Sequence, residues 1–284
     1  MAEAKITYRA KDPTKCPLCG HQFYHEVMHT GGGRMNAANL SDELHRGYNP
    51  SQKYGAVYPL LYPVVVCPQC WYAAYPKHFM VPGSMSKDMI STLQKKSDER
   101  KKMIRPLFDH VDFKRDRTLA EGISSYVLAA ACYDEFPKTL SPSFYRGLSF
   151  LRAGWLARDI NTVQPNEHYD YMAEIFLRKA SFFYYEVLIR QEEGSETLED
   201  VTHYGPDIDT NFGFDGVLYL IGVLQLKYGG ERNSAKRAAI LKSAQTTVSK
   251  IVGFGEFSKG KPSVLLDLGR ELYNAIKKEL QALG

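Results

Sequence analysis

Cys16-Pro17-Leu18-Cys19-Gly20 and Cys67-Pro68-Gln69-Cys70 decide how the first part of this chain folds. A Cys-x-x-Cys turn aims both sulfurs at one point and places backbone N–H groups to donate to the thiolates. Two such turns close a tetrahedral all-sulfur site, the geometry of Zn2+ or of a single iron. Cys16, Cys19, Cys67 and Cys70 are therefore the expected metal ligands, with one zinc per chain expected and iron the alternative. Four protein ligands leave no open coordination position, so the pattern speaks for structure more than for a reaction.

Working outward, residues 1–83 are rich in Gly, Pro, Tyr and turn dipeptides. Tyr62-Pro63-Val64-Val65-Val66 runs into the second knuckle and reads as a strand. Knuckle, strand-rich excursion and knuckle make a small β-containing, zinc-ribbon-like module. The 47 residues between Cys19 and Cys67 exceed a minimal ribbon, so the excursion carries structure of its own. Residues 84–117 interleave Lys95, Lys96, Arg100, Lys101 and Lys102 with Asp98 and Glu99. Met89 and Leu93 fall at helical spacing there, which predicts a charged, solvated connecting helix.

Residues 118–284 read as helical almost throughout. Thr118-Leu119-Ala120-Glu121 is a capping box, so a helix starts at Thr118. Phe144, Leu148, Leu151 and Trp155 share one helical face, as do Met172, Phe176, Ala180, Phe183 and Val187. Later helices are expected around Leu218–Gln225, after a cap at Asn233 or Ser234, and from near Pro262. Leu218, Ile221, Gly222, Ala235 and Ala238 loosely follow the small and large alternation of tetratricopeptide repeats, without a strict period. The expected fold is mainly α: an array of antiparallel helical hairpins carrying a small zinc-ribbon-like module.

Composition narrows the function. The chain has 284 residues, 44% apolar and 24% charged, and suits one large or two ordinary globular domains. Aromatics at 12%, including 19 Tyr, suggest thick packing between helices. The formal charge of +4 falls to +2 once four thiolates hold one Zn2+, which makes no case for nucleic acid. No apolar signal segment opens the chain, and the longest apolar run, around Val217–Leu226, is too short to span a bilayer. Metal-spaced thiols in that setting point to a reducing cytoplasm, with no membrane partner. Cys132, inside the run Tyr126–Tyr133, reads as a small buried hydrophobe.

Three further patterns each have a plainer reading. His25-Glu26-Val27-Met28-His29 has the letters of a zinc-hydrolase helix, with two His on one face and Glu as general base. Gly31-Gly32-Gly33 ends any helix there within a turn, and Phe23, His25 and Val27 equally alternate as a strand. Asp207 to Asp215 resembles a calcium loop, but Leu218 stands where a bidentate Glu is needed, so an acidic cap to the next helix is the better reading. His21 follows the first knuckle and is expected beside the metal or exposed. No nucleophile elbow, P-loop or dinucleotide fingerprint is present in the sequence.

Cys16-Pro-Leu-Cys19, Arg34, Asn49-Pro50, Tyr62-x-Val64-x-Val66-Cys67-Pro-x-Cys70 and Tyr72-Ala73-Ala74-Tyr75 resemble the bacterial Domain of Unknown Function family 2225. So do Leu128-Ala129, Gly147-Leu148-x2-Leu151-Arg152-x2-Trp155-Leu156-x-Arg158 and Glu174-x-Phe176-Leu177-x2-Ala180. The resemblance implies a cytoplasmic bacterial protein with a knuckle module fused to a helical domain and no agreed activity. One position departs: Trp71 stands where the family usually has Gly, the residue that most easily takes a left-handed turn. The expected function is non-catalytic: a zinc-binding scaffold that meets an unidentified protein partner through its helical surface. A rubredoxin-like electron carrier and a zinc hydrolase using His25, Glu26 and His29 are the alternatives.

Overall fold

The computed structural model describes residues 5–80, 85–231, 233–252 and 262–283. Among these residues, short strands occupy the N-terminal part and pair into four antiparallel two-stranded sheets. β1 (Thr7–Arg9) pairs with β4 (Glu26–Met28), and β2 (Thr14–Lys15) with β3 (Gln22–Phe23). β5 (Ala37–Leu40) pairs with β6 (Arg46–Tyr48), and β7 (Val65–Val66) with β8 (Ala73–Ala74). The excursion between the knuckles therefore has sheets of its own. Hairpins this small are marginal alone in water and need something else to hold them.

Residues 85–117 do not form the single solvated helix that their charge suggests. After α1 (Pro76–Phe79) come two short helices, α2 (Lys87–Lys95) and α3 (Ser97–Ile104), then turns and irregular chain. Ser86 caps α2 by accepting the Met89 N–H. Met89, Leu93, Arg100 and Ile104 are all buried, so a narrow stripe of this charged stretch faces the core.

The rest is helical: α4 (Leu119–Tyr133), α5 (Pro142–Val163), α6 (Tyr169–Glu192), α7 (Gly213–Tyr228), α8 (Ser234–Ser249) and α9 (Ser263–Leu283). Thr118 and Glu121 form the expected capping box at α4, and Asn233 caps α8. Each helix from α4 onward packs on the next in sequence, and α4 also packs on β8. Phe144, Leu148, Leu151 and Trp155 are buried on one face of α5, as their spacing predicts. The mainly helical fold with small antiparallel sheets is thus observed.

One continuous apolar cluster runs from Cys16 and Leu18 through α4, α5 and α7 to Ile276. Much of it is aromatic. Tyr133 and Tyr145 stack at 5.0 Å, and His78 meets Tyr145 edge-on at 4.7 Å. His78 bonds Tyr133 Oη through Nδ1 at 2.8 Å and Asp200 through Nε2 at 2.6 Å, so its two polar edges are satisfied inside the packing. Cys132 is fully buried, and burial pushes its thiol up to about 11, in keeping with a small hydrophobe.

Candidate metal centre

Each Cys-x-x-Cys segment is the turn of a hairpin: β2–β3 for the first, β7–β8 for the second. The two turns are built alike. Cys16 N–H donates to His21 O at 2.9 Å and Gly20 N–H to Cys16 O at 3.0 Å. Cys67 N–H donates to Tyr72 O and Trp71 N–H to Cys67 O, both at 2.9 Å. Gly20 sits at φ +74° and Trp71 at φ +57°, so Trp71 adopts the left-handed turn that glycine favours. Its ring meets Phe113 edge-on at 5.5 Å, a tertiary contact that holds it there.

The turns bring four sulfurs together. Cys16 Sγ lies 3.6 Å from Cys70 Sγ, and Cys19 Sγ lies 3.6 Å from Cys67 Sγ. All four lie within 4.8 Å of one another. Sulfurs at tetrahedral angles on bonds of about 2.3 Å would sit about 3.8 Å apart, so the spacing fits one zinc or iron. Among the described residues this is the only group of three or more Cys, His, Asp or Glu close enough to hold a metal ion. Cys16, Cys67 and Cys70 are buried, and Cys19 is exposed.

The electrostatics of the cluster also ask for a cation. Hydrogen bonds from the Cys16 and Cys70 thiols, aided by the Cys70 and Gln69 N–H groups, outweigh burial and bring Cys67 down to about 4. The same contacts with Cys67 and Cys70, together with burial, push Cys16 far up. Four thiolates this close repel one another, and only a bound cation lets all four ionise together.

Residues outside the knuckles hold them in place, and the sequence pattern gave no sign of this role. Gln94 Nε2 donates to Leu18 O in the first turn. Ser97 Oγ donates to Cys70 O at 3.2 Å, and Arg100 Nη2 donates to the same oxygen at 3.0 Å. The charged stretch that reads as solvated therefore buttresses the cluster. His21 contributes its backbone carbonyl and is half-buried, with its ring stacked on Phe23 at 6.3 Å.

The other candidates are not brought to this centre. Glu26 to Met28 is strand β4, not a helix, which removes the geometry a zinc-hydrolase motif requires. Glu26 is buried and accepts from Thr7 Oγ1 at 2.7 Å and Arg117 N–H at 2.9 Å. His25 bonds Thr14 Oγ1 at 3.0 Å, and His29 packs on Tyr8 at 4.6 Å. Asp207 is fully buried, pairs with His45 Nδ1 at 2.7 Å and accepts the Arg46 N–H at 2.9 Å. The acidic loop thus joins the excursion to the helices.

Glu43 is a second junction, and nothing in its sequence neighbourhood announced it. Its carboxylate is buried and accepts from Trp155 Nε1 at 2.9 Å, Arg158 Nη1 at 2.8 Å and Tyr228 Oη at 2.6 Å. Burial pushes this carboxyl up, but hydrogen bonds and charge from Arg158, then Tyr228 and Lys227, prevail and hold it down to about 2.

Residues 10–276 match the family described as "Uncharacterized protein conserved in bacteria (DUF2225)". The chain belongs to this family. A family relative described as an uncharacterized protein, from Borreliella burgdorferi, is 41% identical over 280 residues, covering 98% of this chain and 99% of its own length. No solved structure matches. The match to DUF2225 takes in both knuckles, Glu43, Arg100, Trp155 and Arg158. Several residues that carry the resemblance have visible work here: Trp155 and Arg158 hold Glu43, and Arg152 Nε donates to Pro206 O at 2.8 Å. No helix among the described residues is long and apolar enough to cross a membrane.

Proposed function

We propose that this DUF2225 chain is a non-catalytic, cytoplasmic zinc protein in which Cys16, Cys19, Cys67 and Cys70 hold one structural ion. The observation that carries the reading is the closed set of four sulfurs within 4.8 Å, at the apex of two like-built hairpins. A metal there supplies the folding free energy that sheets of two to four residues lack, on the order of 10 kcal/mol for zinc-finger peptides. The helices, arranged as a tetratricopeptide-like array over residues 118–284, would then offer the surface for a protein partner, with residues 1–83 as the knuckle module.

Metal analysis of the untagged full chain, purified without added metal, tests this directly. One zinc per chain and a colourless solution support the structural reading. One iron with a reversible visible band would replace it with electron transfer. A chain that folds with no metal would sink both.

A further inference from the structure

Among the described residues, Arg100 is the one charged side chain that bonds the knuckles while being buried, with a relative exposure of 3%. Its guanidinium donates to two backbone carbonyls, Leu93 O at 2.6 Å through Nη1 and Cys70 O at 3.0 Å through Nη2. Nε has no hydrogen-bond partner. No carboxylate among the described residues lies within ion-pairing distance, whereas half-buried Arg46, Arg146 and Arg237 each have one; Arg152, as deeply buried, likewise donates to a backbone carbonyl, Pro206 O. Nearby Glu135 is engaged by Lys96, and Asp134 by Arg146. Cys132, also close to Arg100, is held neutral by burial.

A guanidinium carries a permanent charge. Burying one without an opposite charge costs several kcal/mol. An anion close by, other than a carboxylate, would offset that cost. Four thiolates around one divalent ion carry a net charge of −2, and Arg100 touches the backbone of one of those cysteines.

We propose that the metal-filled four-sulfur cluster is the counter-ion of Arg100, so that metal binding and the docking of α3 are one coupled event. This deepens the structural-metal reading and rests on it. With metal bound, the cluster's negative charge compensates Arg100, and Arg100 in turn lowers the repulsion among the four thiolates. Without metal, no cation holds the four sulfurs together as a single anion beside the buried guanidinium. The favoured response is for α3 to leave its seat and take Arg100 to water. Because α3 packs on α4, metal occupancy then reaches the helical core through α3 as well as through β8.

The test uses the full chain with zinc itself as probe. Zinc affinity is measured by competition with a chromophoric chelator for wild type, Arg100→Met and Arg100→Lys, with helix content followed by circular dichroism. Removal of a group that supports metal ligands typically weakens binding by about 10- to 100-fold, and that is the loss expected for Arg100→Met. Arg100→Lys keeps the charge and should recover most of it. Equal affinity for Arg100→Met and wild type overturns the proposal while leaving the structural metal intact. A wild type that takes up no zinc or iron overturns both. Should Arg100→Met not fold, hydrogen exchange on wild type decides. Chelation should strip protection from residues 97–104 while α6 keeps its own, and unchanged protection in α3 would refute the coupling.

Discussion

The two parts of this molecule are stabilised by different means. The helical part buries long apolar faces, with Trp155, Tyr126, Tyr184 and Tyr219 almost fully enclosed. The knuckle part has strands of two to four residues in separate pairs, a poor foundation for a hydrophobic core. What it has instead is a four-sulfur cluster and a set of buried polar junctions, Glu43, Asp207 and Arg100, that tie it to the helices. Buried hydrogen bonds, and on the proposed reading a bound metal ion, take the place of a core of its own.

The largest effect should come from the cluster. Cys67→Ala removes a ligand, and the expected outcome is loss of bound metal together with unfolding of residues 5–80, since a structural zinc contributes on the order of 10 kcal/mol. Metal content and residue-resolved hydrogen exchange check it, and α5 and α6 should retain their protection. If the knuckle part stayed ordered in the metal-free variant, the contrast between the two parts would be wrong.

Next is the Glu43 junction, where both parts meet. Glu43→Ala leaves the buried Trp155 N–H without its acceptor and half-exposed Arg158 without its partner, a loss of about 1–3 kcal/mol for an unsatisfied buried donor. The shift in urea midpoint measures it. The carboxyl is held at about 2, below its ordinary value of 4.5, so its contribution is fully present above pH 4.5. That contribution is lost as pH falls from 4.5 through about 2, and amounts to on the order of 3 kcal/mol. The stability gap between wild type and Glu43→Ala should therefore narrow across that window, and a constant gap would show that the charge is not what matters.

A purely apolar test belongs to the helical part. A Cβ at Gly222 would lie 2.3 Å from Val248 Cγ2 and 3.0 Å from Leu272 Cδ2, so α7 approaches α8 and α9 through this gap. Gly222→Val should destabilise by about 1–3 kcal/mol through overpacking. Thermal unfolding reads the cost, and metal content should not change.

The same contrast decides what was legible in the sequence. Apolar periodicity repeats over many residues, so the faces of α5 and the starts of α4 and α8 could be read in advance. The four cysteines were legible because metal geometry fixes their spacing. The junctions were not: Glu43 and Trp155 are far apart in the chain, and one buried carboxylate leaves no pattern. Charge density misled in residues 85–117, because a helix as short as α3 can bury Arg100 and Ile104 on one side while its lysines stay in water. The letters of the hydrolase motif were outweighed by the strand reading of the same residues, and Glu26 serves the pairing of β1 and β4 and the start of α4 through Thr7 and Arg117.

The smallest expected effect is at Trp71, and it sharpens the comparison most finely. A non-glycine residue in the left-handed region costs about 1–2 kcal/mol, which Trp71→Gly would recover. Against this, the variant loses the edge-on packing with Phe113, and aromatic pairs contribute about 0.5–1.5 kcal/mol beyond their buried area. With the ring's partly buried area added, the losses slightly exceed the gain, so stability should fall by only about 1 kcal/mol. Zinc affinity should also hold, because the turn N–H still donates to Cys67 O. A large loss of stability with metal retained would mean that Trp71 and Phe113 form a hydrophobic anchor for the second knuckle. A large loss of metal would mean instead that the bulky ring positions Cys70 itself.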